Sequence, residues 1–191
     1  MKLAPPGELG RWAAPGLLAV TFALGFLSGC PRDPESPSGG GDLVSLTDPD
    51  SVLFQIQIGI ASGVITQYTN AFRQDFVFNP DQVDSITLTA QNPGVFNDWF
   101  FPVEQQVMTQ VLSRYSVRAV TFANVESTVV NDGEVVLRED YTLFLDQERY
   151  QGQAELFMLR EDADWRIFRW RDRQGGSDPD TTWGILRGLN R

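Results

Sequence analysis

The chain has 191 residues, 42% of them apolar, enough for one folded domain with its own core. Its 15 basic and 25 acidic residues give a net charge of −10, which repels phosphate backbones, so no nucleic acid is expected as a partner. It contains no histidine and a single cysteine, which excludes serine–histidine and cysteine–histidine catalysis, imidazole metal ligation and an intramolecular disulfide.

At the N-terminus, Lys2 and Arg11 precede an apolar run from Trp12 to Phe26 that is too short for a good spanning helix and reads as a signal peptide. The run ends in Leu27-Ser28-Gly29-Cys30, which resembles a lipobox: an apolar residue, two small residues, then the cysteine whose thiol takes the lipid. Residues 1–29 are therefore expected to be removed and Cys30 to be lipidated. The loss of Lys2, Arg11 and Glu8 leaves the mature chain one charge more acidic, so its attachment to a membrane must be covalent rather than electrostatic. Pro31, rather than aspartate, follows the cysteine, which favours the outer membrane over the inner, with the chain facing the periplasm. Pro31 to Gly41 reads PRDPESPSGGG, a composition that cannot build a core, and residues 30–45 are expected to be the anchor and a flexible tether. Residues 46–191 form the domain.

Asp48-Pro49-Asp50-Ser51 is a helix start, with an acidic cap and proline at the first helical position. Phe54, Ile58, Ala61, Ile65, Tyr68 and Phe72 follow at spacings of three and four, which predicts one buried helical stripe, with Gly59 and Gly63 marking a kink or a break. Phe76-Val77-Phe78 reads as a short strand and Asn79-Pro80-Asp81 as a turn. Residues 81–98 read as irregular, with one strand candidate at Ser85 to Thr89. Phe100-Phe101-Pro102 opens another helix, with Val103, Val107, Met108, Val111 and Leu112 on one side and an end near Ser113.

The remainder reads as β. Val117 to Val130 and Glu134 to Asp146 are long strands joined at Asn131-Asp132-Gly133, where Asn and Gly accept positive φ. Gln151 to Arg160 and Trp165 to Arg173 follow, separated by a turn at residues 161–164. Residues 174–180 are rich in Gly, Asp and Pro, and Thr181 to Leu189 is a closing segment with Trp183 and Leu186 to bury. Asp178-Pro179-Asp180, like Asp48-Pro49-Asp50, lacks the glycine and terminal glutamate of a calcium loop and reads as a turn. Helices followed by a meander of long strands argue an α+β domain, with N-terminal helices packed on one face of a curved antiparallel sheet.

The helical stripe running into Asn70-Ala71-Phe72-Arg73-Gln74-Asp75-Phe76-Val77-Phe78, the segment Gly152 to Leu156, Trp165-Arg166-Ile167, Trp170-Arg171-Asp172 and the closing Thr182-Trp183-Gly184 together resemble the NTF2-like superfamily. Its members include nuclear transport factor 2, ketosteroid isomerase and the SnoaL-like polyketide cyclases. The resemblance spans roughly residues 46–190. It implies a bent sheet wrapped around helices as a cone, a pocket at the open end and often a dimer through the outer sheet face. It implies no particular reaction.

Three functional readings follow. In the first, the domain is a non-enzymatic module that binds a small apolar ligand or a protein. Tyr68, Phe72, Trp99, Phe168 and Trp170 would line the pocket, and Tyr141, Arg169 and Asp172 would fix a ligand, although the same aromatics serve equally as core. In the second, Asp75, Asp98 and Tyr68 supply the carboxylate and tyrosine of a ketosteroid-isomerase-like enzyme. In the third, the outer sheet face forms a homodimer through Phe157, Leu159, Trp165 and Ile167, set among Glu155, Arg160, Arg169 and Arg171. No cofactor and no metal are expected, and the non-enzymatic reading is favoured.

Overall fold

A computed structural model describes residues 43–175 and 181–191. The signal peptide, Cys30, most of the tether and Asp178-Pro179-Asp180 lie outside the described residues.

Helix α1 (Pro49–Ser62) begins as its sequence dictates: the Asp48 side chain accepts the Ser51 N–H at 2.8 Å, the Ser51 hydroxyl faces back toward the Asp48 N–H, and Pro49 occupies the first turn. It stops at Gly63, whose φ of 72° lets its N–H bond back to Gly59 and Ile60 carbonyls. The short α2 (Ile65–Thr69) follows. The buried face of α1 is Val52, Leu53, Ile56, Gly59 and Ile60, not the expected stripe: Phe54 is 53% exposed and Ala61 is exposed as well. Two stripes of helical spacing run along this segment, and the one bearing Gly59 packs inward because the backbone of Tyr68 passes close to that glycine. The break at Gly63 resets the phase, so Tyr68 of α2 and Phe72 at the head of strand β1 (Phe72–Asn79) are nevertheless buried.

Helix α3 (Gln82–Gln91) replaces the expected irregular segment and its strand candidate. The Asp81 side chain caps it by accepting the Val83 N–H at 2.8 Å, and Asp84 and Leu88 face inward. The β-branched residues of this segment pointed to a strand, but Val83 and Ile86 are simply exposed on the far side of the helix. Helix α4 (Phe101–Arg114) buries Glu104, Val107, Met108, Val111 and Leu112. No described helix is long and apolar enough to cross a membrane.

Strands β2 (Arg118–Asn131), β3 (Glu134–Leu145), β4 (Glu148–Glu161) and β5 (Asp164–Gln174) form the expected meander. Two of its turns rest on aspartates with positive φ, Asp146 at 53° and Asp162 at 54°. The sheet order is β1-β5-β4-β3-β2, and β1 pairs with β5 in parallel, so the sheet is mixed rather than antiparallel. β1 precedes two helices and the whole meander, and the edge left to it runs in its own direction. Helix α5 (Trp183–Leu189) closes the chain.

The two faces of the sheet differ. On β3, Val135, Leu137, Glu139, Tyr141, Leu143 and Leu145 are buried against the helices, and the residues between them stay partly or fully exposed. The chain is thus an α+β cone, with the helices in the hollow of the sheet.

Candidate functional site

Six of the eight residues expected to line a pocket or fix a ligand in it meet in the hollow, while Arg169 stands over Phe157 on the outer face. Tyr68, Phe72, Trp99, Tyr141, Trp170 and Asp172 are all buried. The Tyr68 and Phe72 rings are 5.0 Å apart, and Trp170 stacks beyond Phe72 at 6.5 Å. Phe168 is not with them. The register of β5 slips between its pairs Ile167–Met158 and Arg169–Phe157, leaving Phe168 as the extra residue of a bulge. It therefore turns to the outer face and packs edge-on against Phe157 at 6.2 Å. The same slip puts Ile167, expected on the outer face, fully inside.

What fills the hollow is the chain itself. Trp183, Leu186 and Arg187 of α5 are completely buried, and Trp183 meets Trp170 edge-on at 4.8 Å and Tyr141 at 5.6 Å. The Arg187 guanidinium lies 2.7 Å from Glu104 Oε1 through Nη2, with Nε at 3.0 Å from Oε2. Glu104 also accepts the Tyr68 hydroxyl at 2.6 Å and the Trp99 indole N–H at 2.9 Å. The guanidinium packs among aromatic rings, 4.2 Å from the centroid of Phe78, 4.3 Å from Trp170 and 5.0 Å from Trp183. Its Nη1 is without a hydrogen-bond acceptor among the described residues, and the ring faces stand in for one. Burial opposes its charge, yet Glu104, Tyr68 and Asp172 together outweigh burial and hold the guanidinium protonated more firmly than usual. Burial, reinforced by the negative charge of Glu104, raises the Tyr68 hydroxyl well above the ordinary tyrosine range.

A second polar cluster pins the start of α5. Asp172 Oδ2 accepts the Gly184 N–H at 2.6 Å, and Oδ1 accepts the Tyr141 hydroxyl at 2.9 Å. The same hydroxyl accepts the Trp183 N–H at 2.7 Å. Thr182 caps α5 by accepting the Ile185 N–H at 3.1 Å and donates its hydroxyl to Asp84, which also accepts the Gln174 side-chain amide at 3.1 Å. A side chain at Gly184 would begin 3.0 Å from Asp172 Oδ2 and 3.2 Å from Asp84 Oδ2, so any larger residue would have to push the two carboxylates aside. Burial pushes Asp172 up to about 7, against the pull of Arg187 and of its hydrogen bonds, and burial raises Asp84 as well.

A buried, raised carboxyl beside a tyrosine has the chemistry of a proton donor, but here Asp172 Oδ1 and Oδ2 each already accept a hydrogen bond, from Tyr141 and from the start of α5. The carboxylates expected to work with Tyr68 in an enzyme do not assemble with it. Asp75 is exposed, paired with Arg73 at 2.7 Å and held below the usual carboxylate range by that hydrogen bond. Asp98 is an exposed turn residue with φ of 51°. Sequence reasoning missed Glu104, Arg187 and Asp84. Glu104 and Asp84 were each legible as a lone acid three or four residues from the apolar positions of its helix.

The outer face carries the other feature. A cavity of about 230 Å³ is lined by Glu126, Thr128, Val136, Arg138, Glu155, Phe157 and Arg171. Arg138 pairs with Glu126 at 2.7 Å and reaches Glu155 at 3.8 Å, and Arg171 reaches Glu155 at 3.4 Å. Arg169 and Arg171 both stack on Phe157, at 5.5 and 4.8 Å.

No family model matches the chain, and no curated protein matches it. Among solved structures, the chain is similar to a calcium/calmodulin-dependent protein kinase type II association domain, provisionally assigned, from Thiobacillus denitrificans. That likeness has 10% identity over 71% of this chain and 100% of the other, with a TM-score of 0.53. It is likewise similar to a provisionally assigned scytalone dehydratase from Novosphingobium aromaticivorans, with 12% identity over 71% of this chain and 90% of the other and a TM-score of 0.52. A protein of unknown function from Mycobacterium tuberculosis matches with 13% identity over 73% and 81% of the two chains and a TM-score of 0.52. At such identities the likeness concerns the fold alone, an α+β arrangement of helices on a curved mixed sheet.

Proposed function

We propose that this chain is a non-enzymatic binding module of the cell envelope, lipid-anchored at Cys30, that meets a protein partner with the open outer face of its sheet rather than a small ligand with its hollow. The observation that carries this reading is the occupation of the hollow by α5, whose Trp183, Leu186 and Arg187 are wholly buried where a ligand would sit. The outer face keeps a groove floored by Val136 and Phe157 and rimmed by charges, the composition of a docking surface. The solved neighbours include both an association domain and a dehydratase assignment, so the fold does not choose between assembly and catalysis.

Two measurements test it. Mass spectrometry of the chain isolated from membranes should find an N-terminus at Cys30 carrying acyl chains; an unmodified Cys30, or a chain still beginning at Met1, refutes the anchor. A photo-cross-linking side chain placed at Phe157 in cells should give a discrete protein adduct, while one at Phe54 on the helical side should give none. An adduct at twice the chain's mass would establish the homodimer through the outer face, the second reading, and the absence of any adduct at Phe157 would refute both.

A further inference from the structure

The outer face is not only open; its charge is uneven. On β5, Trp170 and Asp172 point into the hollow, so Arg169, Arg171 and Arg173 stand together on the outer face at every second residue. Strand geometry spaces them about 7 Å apart. Their neighbours on β4 are Phe157, Glu155 and Gln153, which supply one carboxylate for three guanidinium groups. That carboxylate is shared, since Glu155 also faces Arg138, and its distances of 3.4 and 3.8 Å are long. Among the described residues, neither Arg169 nor Arg173 has a salt-bridge partner, in a chain whose net charge is −10. Arg169 and Arg171 lie over the Phe157 ring, and Arg169 also lies 5.7 Å from Phe168, so these planar groups are pre-oriented by stacking.

We infer that the β5 column Arg169–Arg171–Arg173 is a docking track for an extended acidic segment of a partner protein, with carboxylates at every second residue. The inference rests on the outer face being the working surface and adds the chemistry of what meets it. An extended strand repeats its side chains at the same two-residue interval, so three alternate carboxylates each reach one guanidinium, whereas a helix advances only about 5.4 Å per turn. A second copy is the poorer occupant, because a two-fold contact centred on this column sets arginine against arginine.

The test uses the full-length chain in nonionic detergent at low ionic strength and two fluorescent threonine-based peptides. Each carries three glutamates, at alternate positions in one and four residues apart in the other. The alternate peptide should bind at least ten-fold more tightly by anisotropy, and R169Q/R171Q/R173Q, folded by circular dichroism, should abolish the difference. Charge reversal guards against loss of fold: R169E/R171E/R173E should prefer the corresponding alternate-lysine peptide. Equal affinity for the two glutamate peptides, or a preference that survives R169Q/R171Q/R173Q, overturns the track. So does binding of phosphatidylglycerol vesicles that needs these arginines while neither peptide binds. A protein adduct from Phe157 with no peptide preference would leave the docking face standing and remove only its acidic partner; loss of both would remove both.

Discussion

The two faces of one sheet use the same residue types to opposite ends. In the hollow, Arg187 and Glu104 are buried, bonded at 2.7 Å and enclosed by Tyr68, Trp99 and Trp170. On the outside, Arg138 and Glu126 sit at the same 2.7 Å with about half of each side chain in water. Distance is therefore a poor guide to what an ion pair does. The inner pair has lost its hydration, so each partner depends on the other, while the outer pair exchanges water for protein at little gain. The hollow is where the chain holds itself together, while the outer face keeps its paired charges partly in water.

The sharpest way to break this contrast is at Arg187. Arg187→Leu strands the Glu104 carboxylate in an apolar interior, and its loss of stability in urea should be about 3–5 kcal/mol. The double change with Glu104→Leu removes both charges and should recover a large part of that loss, because two apolar side chains need no partner. If the double variant is as unstable as the sum of the singles, the pair is not coupled as the geometry demands.

Acidity gives the next largest effect. Asp172 titrates near 7 when folded and has an ordinary value of 3.8, so between these values the folded chain binds more protons than the unfolded one. Stability must then fall as pH rises from about 4 to about 7, by roughly 4 kcal/mol at most from this group, and stay level above. Burial raises Asp84 and Glu139 too, which adds the same sign. The carboxylates with lowered values, Asp75 and Glu148, act below this window, where their contribution is lost on acidification. Denaturation midpoints at each pH measure the slope. Asp172→Asn keeps one of the two hydrogen bonds, so it should lower stability and flatten the curve. A slope unchanged by it would move the proton elsewhere. Gly184→Ala should cost less, about 1–3 kcal/mol, by wedging a methyl group between Asp172 and Asp84, and should shift the fluorescence of the buried Trp183.

The meander was readable because its signals are local: alternation, the Asn131-Asp132-Gly133 turn and acidic turn residues set strand ends within a few positions. The phase of α1 was not, since two stripes of equal spacing exist and only the approach of Tyr68 to Gly59 chooses between them. Helix α3 was hidden because its β-branched residues are exposed and its support, from Thr182 and Gln174 to Asp84, lies about ninety residues away. Tyr68, Phe72, Trp99, Tyr141, Trp170 and Asp172 were named as inward-facing and are buried. Phe168 was named with them but faces outward, because a bulge adds one residue and reverses every inference of face beyond it. The burial of Trp183 and Leu186 in the closing segment was legible, but that of Arg187 was not: no local pattern reveals that a short closing helix will carry an arginine inward to meet a glutamate more than eighty residues earlier.

The smallest effect sharpens the comparison most. Arg138→Gln removes the outer counterpart of the buried pair and should change stability by less than about 0.5–1 kcal/mol, and less still at high salt. Glu126 is then left to solvent, which already reaches it, so nothing comparable to the Arg187 variant can follow. The measurement has the same form as for Arg187, a urea midpoint in matched buffers, so the ratio of the two losses is independent of how the unfolded chain is described. A loss above about 2 kcal/mol would mean that Arg138 is enclosed in solution by something seated on the outer face. Its disappearance on dilution would identify that cover as a second copy, and its persistence would assign it to the chain itself. Either result would make the outer face an occupied surface, whereas a near-neutral outcome leaves its charges available to a partner.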